Sequence, residues 1–157
     1  MIENFASAEL KKKYGLQPHP EGGWFAERWT SAQTVDGRAL AGSICFLLDG
    51  TDVSHFHQLD CNEVWYFHEG CGMKLTVFWG GRREIHFLGN GTAGEVQVII
   101  PKGAVFAAEN WDTASYTFVS CVTVPSFRYE GFRLVHKEEL LKAYPEYRAD
   151  IERLAYA

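Results

Sequence analysis

The sequence predicts an all-β sandwich or barrel, and three observations point there. From Trp24 to Val124 the chain is a succession of short apolar or alternating runs. Turn dipeptides separate them, at Asp36-Gly37, Asp49-Gly50, Glu69-Gly70, Gly80-Gly81 and Asn90-Gly91. Composition agrees: 46% hydrophobic and 15% aromatic residues in 157 suffice to fill one interior and to line a mouth that holds a ligand. One domain is expected over residues 1–157, with its β core over about 22–127.

The elements follow in order. Ser7 to Tyr14 reads as a short helix, capped by Ser7 and stopped by Gly15. Pro18-His19-Pro20-Glu21-Gly22-Gly23 breaks regular structure, because proline restricts the backbone and glycine frees it. Strands are expected at Trp24–Thr30, Ala41–Leu48, Ser54–His57, Glu63–His68, Lys74–Trp79, Glu84–Leu88, Glu95–Ile100, Val105–Ala108 and Tyr116–Val124. Helical spacing returns at His136–Tyr144 and Glu146–Leu154, interrupted by Pro145, and these helices are expected on the outside of the β core. Gly89-Asn90-Gly91-Thr92-Ala93-Gly94 matches the dinucleotide fingerprint in form only. A strand-like run follows it, where that fingerprint needs a helix N-terminus for the pyrophosphate.

Charge and cysteine usage narrow the partners. The net charge is −5 and the only basic run is Lys11-Lys12-Lys13, read as a solvated helix face, so nucleic acid is not expected. No apolar run has the length of a membrane span and no signal peptide is evident, so a membrane partner is not expected. Cys45, Cys61, Cys71 and Cys121 form no CxxC pair and read as reduced thiols of a cytoplasmic protein. Cys45 and Cys121 fall in apolar strands as core fillers, whereas Cys61, beside the His-x-His and Glu63, reads as an exposed loop thiol or, alternatively, as one that reaches the pocket.

The chemistry concentrates in one stretch. His55 and His57 are two apart on a predicted strand, so both imidazoles are expected on one face. Glu63, after the polar break Asp60-Cys61-Asn62, opens the next strand and brings a carboxylate toward them. Two imidazoles and a carboxylate make an open-sided metal site. Without metal they make an acid–base cluster. The plainer reading is that one or both histidines cap a core or sit at a strand edge.

Gly50, His55, His57, Glu63 and Gly70, followed by Gly94, Pro101, Gly103 and Asn110, resemble the two motifs of the cupin superfamily. The resemblance implies a small antiparallel jelly-roll barrel. Phe106 stands where the second motif places a histidine ligand, so the fourth ligand of a cupin metal site is missing. More narrowly, the chain from about Leu16 to Pro145 resembles the DUF985, or cupin-5, family. The most specific piece is His19-Pro20-Glu21-Gly22-Gly23-Trp24-Phe25 with Glu27. Ser54, His57, Glu63 and Trp65 match a second segment. Leu88-Gly89, Gly94-Glu95, Gln97, Pro101 and Gly103 match the middle, and Val124-Pro125 with Phe127 a late strand. Ser126 replaces a usual glycine, and Val105-Phe106 a usual Trp-Gln. The resemblance implies a homodimer with a pocket inside the barrel, most like the nucleotide-sugar epimerases among cupins, with no reaction established for the family.

Three functions follow as expectations. The first is an epimerase- or isomerase-like enzyme acting on a small polar metabolite, such as a sugar, nucleotide or nucleotide sugar. His57 is then the base, oriented by Glu63 or Glu27, with His55, Tyr66 or Tyr116 returning the proton. Glu21 is placed at the pocket mouth or is a plain turn residue, Trp24 and Trp65 form a flat apolar wall or belong to the core, and Gln97 offers a hydrogen bond to a ligand or to a neighbouring backbone. The second is a metal-dependent dioxygenase or isomerase, with His55, His57 and Glu63 holding a divalent Fe, Mn, Ni or Zn ion. The third is a non-catalytic binder of a nucleotide or sugar.

Overall fold

The computed structural model describes residues 5–92 and 94–157. Helix α1 (Phe5–Tyr14) leads into β1 (Gln17–Pro18), β2 (Trp24–Thr30), the short strands β3 (Thr34–Val35) and β4 (Arg38–Ala39), β5 (Gly42–Asp49) and β6 (Val53–Leu59). There follow β7 (Asn62–Gly70), β8 (Met73–Trp79), β9 (Arg82–Leu88), β10 (Gln97–Ile100), β11 (Val105–Asn110), β12 (Tyr116–Val124) and β13 (Phe132–Leu134). Helices α2 (Lys137–Ala143) and α3 (Arg148–Leu154) close the described chain, with a 3₁₀ turn at Pro145–Tyr147 between them.

The strands form two facing antiparallel sheets of jelly-roll type. One has the order β1-β2-β5-β12-β7-β10 and the other β13-β6-β11-β8-β9; β3 and β4 make a separate hairpin at the predicted Asp36-Gly37 turn. Between the sheets lie Phe46, Leu48, Trp65, Leu75, Val77, Val98, Phe106 and Val119, all buried. The outer face of the five-stranded sheet presents Phe56, Phe78 and Ala107, covered by Val135, Leu140, Ile151 and Leu154. The outer face of the six-stranded sheet presents Leu47 and Phe118 to Leu10 and Tyr14 of α1. Each such aliphatic or aromatic side chain contributes about 1.5–3 kcal/mol by leaving water, so both helical layers are held by their apolar stripes.

Trp24–Thr30 and Tyr116–Val124 are strands at the expected bounds, and the other expected strands appear with shifted ends. The structure adds β1, β3, β4 and β13, too short to show a period. It corrects three local expectations. Ser7 lies inside α1, and its Oγ donates to Asp49 Oδ2 at 2.9 Å, so it does not cap the helix. Lys11 is not simply solvated: its Nζ is 2.9 Å from Asp49 Oδ2 and lies over the Trp24 ring. Cys61 is buried at 2% exposure, and that burial pushes its thiol up to about 12. Strand β10 follows the glycine-rich turn after Gly89, as expected. Among the described residues no helix is long and apolar enough to cross a membrane.

Candidate functional site

A cavity of about 620 Å³ opens between the sheets at the β2 end. His19, Glu21, His57, Glu63 and Trp65 line it, with Phe25, Glu27, Trp29, Phe127 and Tyr129 among the residues around them.

The segment before β2 delivers Glu21. Gly22 and Gly23 take φ of +106° and +78°, a region costly for side-chain-bearing residues. A Cβ at Gly22 would lie 1.9 Å from the Val53 carbonyl oxygen, so only glycine allows the chain to lie this close against β6. The Glu21 carbonyl then accepts two hydrogen bonds from one residue, His55: from its backbone N–H at 2.7 Å and from its ring Nδ1 at 2.8 Å. The Glu21 N–H donates to His19 Nδ1 at 3.1 Å, which leaves His19 with its proton on Nε2. These bonds clamp the backbone and aim the Glu21 carboxylate inward.

His57 meets it there. Its Nε2 lies 2.8 Å from Glu21 Oε2, and its Nδ1 donates to the His55 carbonyl at 2.7 Å, so both ring nitrogens are engaged. Burial drives His57 toward neutrality, but the charge and hydrogen bond of Glu21, the His55 carbonyl and the field of Glu63 together raise its pKa. Burial pushes Glu21 upward as well, and His57, His19 and the Ser54 hydroxyl more than reverse it. Both shifts favour the charged forms, an imidazolium facing a carboxylate. His19 is shifted the other way: burial lowers its pKa, Glu21 opposes that, and the positive charge of His57 lowers it further.

Glu63 is the third member. Its Oε1 accepts from Trp65 Nε1 at 2.6 Å. Burial, reinforced by the negative charge of Glu21, pushes its pKa to about 7, although His57 and the Trp65 hydrogen bond pull down. One carboxylate in this cavity is held ionised and its neighbour is poised to titrate, which is how paired acids divide their roles.

Several expectations are corrected here. His57 is partnered by Glu21, not by Glu63 or Glu27, and Glu21 lies at the buried end rather than at the mouth. His55 does not share a face with His57. The pairing of β6 with β11 shifts between Phe106↔His57 and Ala108↔Ser54, so β6 carries one extra residue there. This bulge breaks strict alternation. Ser54 and His57 are both buried, and the His55 ring turns to Tyr156, with centroids 4.4 Å apart. Trp24 packs under α1 on the outer face, because β2 offers alternate side chains to opposite faces. Gln97 is exposed: Val98 and Ile100 take the inner face of β10. Tyr66 lies on the face of β7 opposite Glu63 and Trp65, and Tyr116 donates to Glu69 at 2.8 Å, so neither lines the cavity. Trp65 does form the wall, and Glu27 lies exposed at the mouth.

His55, His57 and Glu63 do not fit a metal. His55 is turned away, His57 has no free nitrogen, and the Phe106 ring lies 4.1 Å from the His57 ring where the resemblance puts a further ligand. Among the described residues no group of three or more His, Cys, Asp or Glu is arranged to hold an ion. Asn110 of the second motif is structural: it donates to the Leu48 and Gly50 carbonyls and accepts from Thr117. His19 was not among the residues singled out from the sequence as functional, although the motif that contains it was; its place beside Glu21 depends on the fold of the glycine turn.

Comparison with known proteins agrees with this architecture. The family described as Cupin superfamily (DUF985) matches residues 8–135. A crystal structure of a protein from Shewanella oneidensis is 32% identical, covers 99% of each chain and superposes with a TM-score of 0.89. A hypothetical protein from Leishmania major is 28% identical over 96% of this chain and 99% of its own, with a TM-score of 0.90. Bacillus subtilis oxalate decarboxylase shares the fold alone, at 16% identity and a TM-score of 0.58, over 87% of this chain and 36% of that one. No curated protein matches the sequence.

Proposed function

This chain belongs to the DUF985 family of the cupin superfamily, and from that premise we propose that it is an acid–base enzyme of epimerase or isomerase type. Its substrate is a small polar metabolite of sugar type with a carbonyl beside the reacting carbon. The observation that carries this reading is the pairing, in one cavity, of an ionised His57–Glu21 couple with a Glu63 whose pKa is about 7.

Glu63 is the proton carrier. As a carboxylate it removes the proton beside the substrate carbonyl; as the acid it returns that proton on the same face to the neighbouring carbon while the hydroxyl proton passes to the carbonyl oxygen, or to the original carbon after the enediol has turned over in the site. Nothing is gained or lost overall. The negative charge that develops on the carbonyl oxygen is met by the His19 Nε2–H and by the positive field of His57. Glu21 keeps His57 charged, and His55 keeps Glu21 in place. Trp65 fixes the Glu63 carboxylate at Oε1 and leaves Oε2 to reach the substrate.

The test is exchange of solvent deuterium. Reducing sugars and keto sugars incubated with the protein in heavy water are followed by proton NMR and mass spectrometry. Loss of the signal at the carbon beside the carbonyl is expected, and Glu63→Gln is expected to slow it by about 100-fold or more, the scale of a lost general base. Binding without exchange in the parent protein would replace the enzyme reading with that of a non-catalytic sugar binder.

A further inference from the structure

We propose that the cavity selects a positively charged, amine-bearing metabolite and turns phosphorylated ones away. This deepens the acid–base reading by naming the substrate class of the same site.

Charge is the first argument. Glu21, Glu27 and Glu63 line the cavity, and among the described residues around it there is no lysine or arginine. The positive charge of His57 is matched by Glu21 at 2.8 Å, so an entering ligand meets the remaining carboxylates. Two guanidinium groups stand near the rim, and both are engaged. Arg38 donates to the Ser126 carbonyl and, at 2.8 Å, to Asp60; Arg128 reaches the same Asp60 at 3.0 Å. A nucleotide-linked sugar would carry its phosphates into a space with no cation left to receive them.

The second argument is hydrogen-bonding capacity left open on the cavity wall. Glu63 is 6% exposed, and its Oε2 has no hydrogen-bond partner among the described residues although it borders the cavity. His19 likewise leaves its Nε2 without a partner there. An acceptor and a donor without a protein partner on the wall of one space mark where a polar ligand, in place of water, completes the bonding. The third argument is the mouth. Trp29 and Tyr129, residues 54% and 58% exposed, line it together with the exposed Glu27. Exposed aromatic faces next to a carboxylate attract an ammonium group by the ring quadrupole and by charge together.

An isosteric series tests the class without knowing the substrate. Binding of benzylamine, benzyl alcohol and benzyl phosphate to the full chain is measured by calorimetry at low salt and pH 8. The amine is expected to bind saturably and about tenfold more tightly than the alcohol, with no binding of the phosphate. Glu27→Gln, an exposed site that leaves the core intact, is expected to remove several-fold of the amine's advantage and leave the alcohol unchanged. Phosphate binding as tight as the amine, equal binding of amine and alcohol, or saturable binding of none of the three would overturn the proposal. The order of binding needs no turnover, so it is read separately from deuterium exchange. Exchange that fails while the order holds leaves a binder of amines; exchange that succeeds while the order fails leaves an enzyme for another substrate class.

Discussion

Two histidines of this protein are each flanked by two carboxylates, and only one of them makes a site. His86, on β9, has Glu95 at 2.9 Å and Glu84 at 3.4 Å, with the three side chains 28%, 55% and 35% exposed. His57, on β6, has Glu21 at 2.8 Å and feels Glu63, and all three are buried. Residue types are the same, and the nearer carboxylate of each lies within 3 Å. Water makes the difference: around His86 it screens each charge and solvates each partner, so the cluster holds little free energy. Around His57 the charges are met by each other and by fixed protein dipoles rather than by bulk water, so the protonation of one biases the others.

The largest test of that contrast removes Glu21. Glu21→Ala leaves His57 buried and unpaired, and breaking a buried pair from one side costs about 3–5 kcal/mol. Denaturant unfolding at neutral pH is expected to show that loss, together with loss of deuterium exchange. A loss below about 1 kcal/mol would place the pair on the same footing as the surface cluster and dissolve the comparison.

Glu63→Gln gives the next effect, with the opposite sign. In the folded protein the Glu63 pKa rises from the ordinary value of 4.5 to about 7. A raised folded-state value means that the folded protein binds an extra proton between those two pH values. Stability from this group is therefore present below about pH 4.5 and is lost as pH rises through about 7. The whole loss corresponds to about 3 kcal/mol. Glutamine keeps the acceptor for Trp65 Nε1 and cannot ionise, so the variant is expected to match the parent in acid and to exceed it above neutrality. Unfolding free energies over a pH series check this, and a difference that does not grow with pH would mean that Glu63 is not strained by its ionisation. The same substitution is expected to abolish exchange, so stability would be gained where activity is lost.

Much of the fold was legible because strands advertise themselves locally. Tyr116–Val124 is a β-branched and aromatic run that ends at Pro125, and both of its bounds are readable from the sequence. Glu63 and Trp65, two apart on β7, face the interior together, as alternation requires. The same rule failed for His55 and His57 because the bulge exists only in the pairing of β6 with β11, some fifty residues away in sequence. Alternation also cannot say which face is inner. Trp24 and Gln97 both lie on outer faces, Trp24 because α1 supplies an apolar cover there, and Gln97 because Val98 and Ile100 take the core. The partner of His57 was legible only as a residue type. Glu21 stands out as the acid of its motif, but its approach to His57 depends on Gly22 lying against the Val53 carbonyl, a contact no local pattern encodes.

The smallest effect belongs to the surface cluster and fixes the other end of the comparison. Glu95→Ala removes the closer partner of His86, and exposed pairs of this kind contribute about 0–1 kcal/mol. The expected change in unfolding free energy is at most about 0.5 kcal/mol, shrinking further in high salt, with deuterium exchange unaltered. Raising the salt is the informative step, because a screened pair fades with ionic strength whereas a buried one does not. A salt-independent loss above about 1 kcal/mol would show that His86, Glu84 and Glu95 are shielded from water in solution. The surface that covered them would then be a second copy of the chain or another partner on β9, and the contrast between the two histidines would be one of assembly rather than of fold.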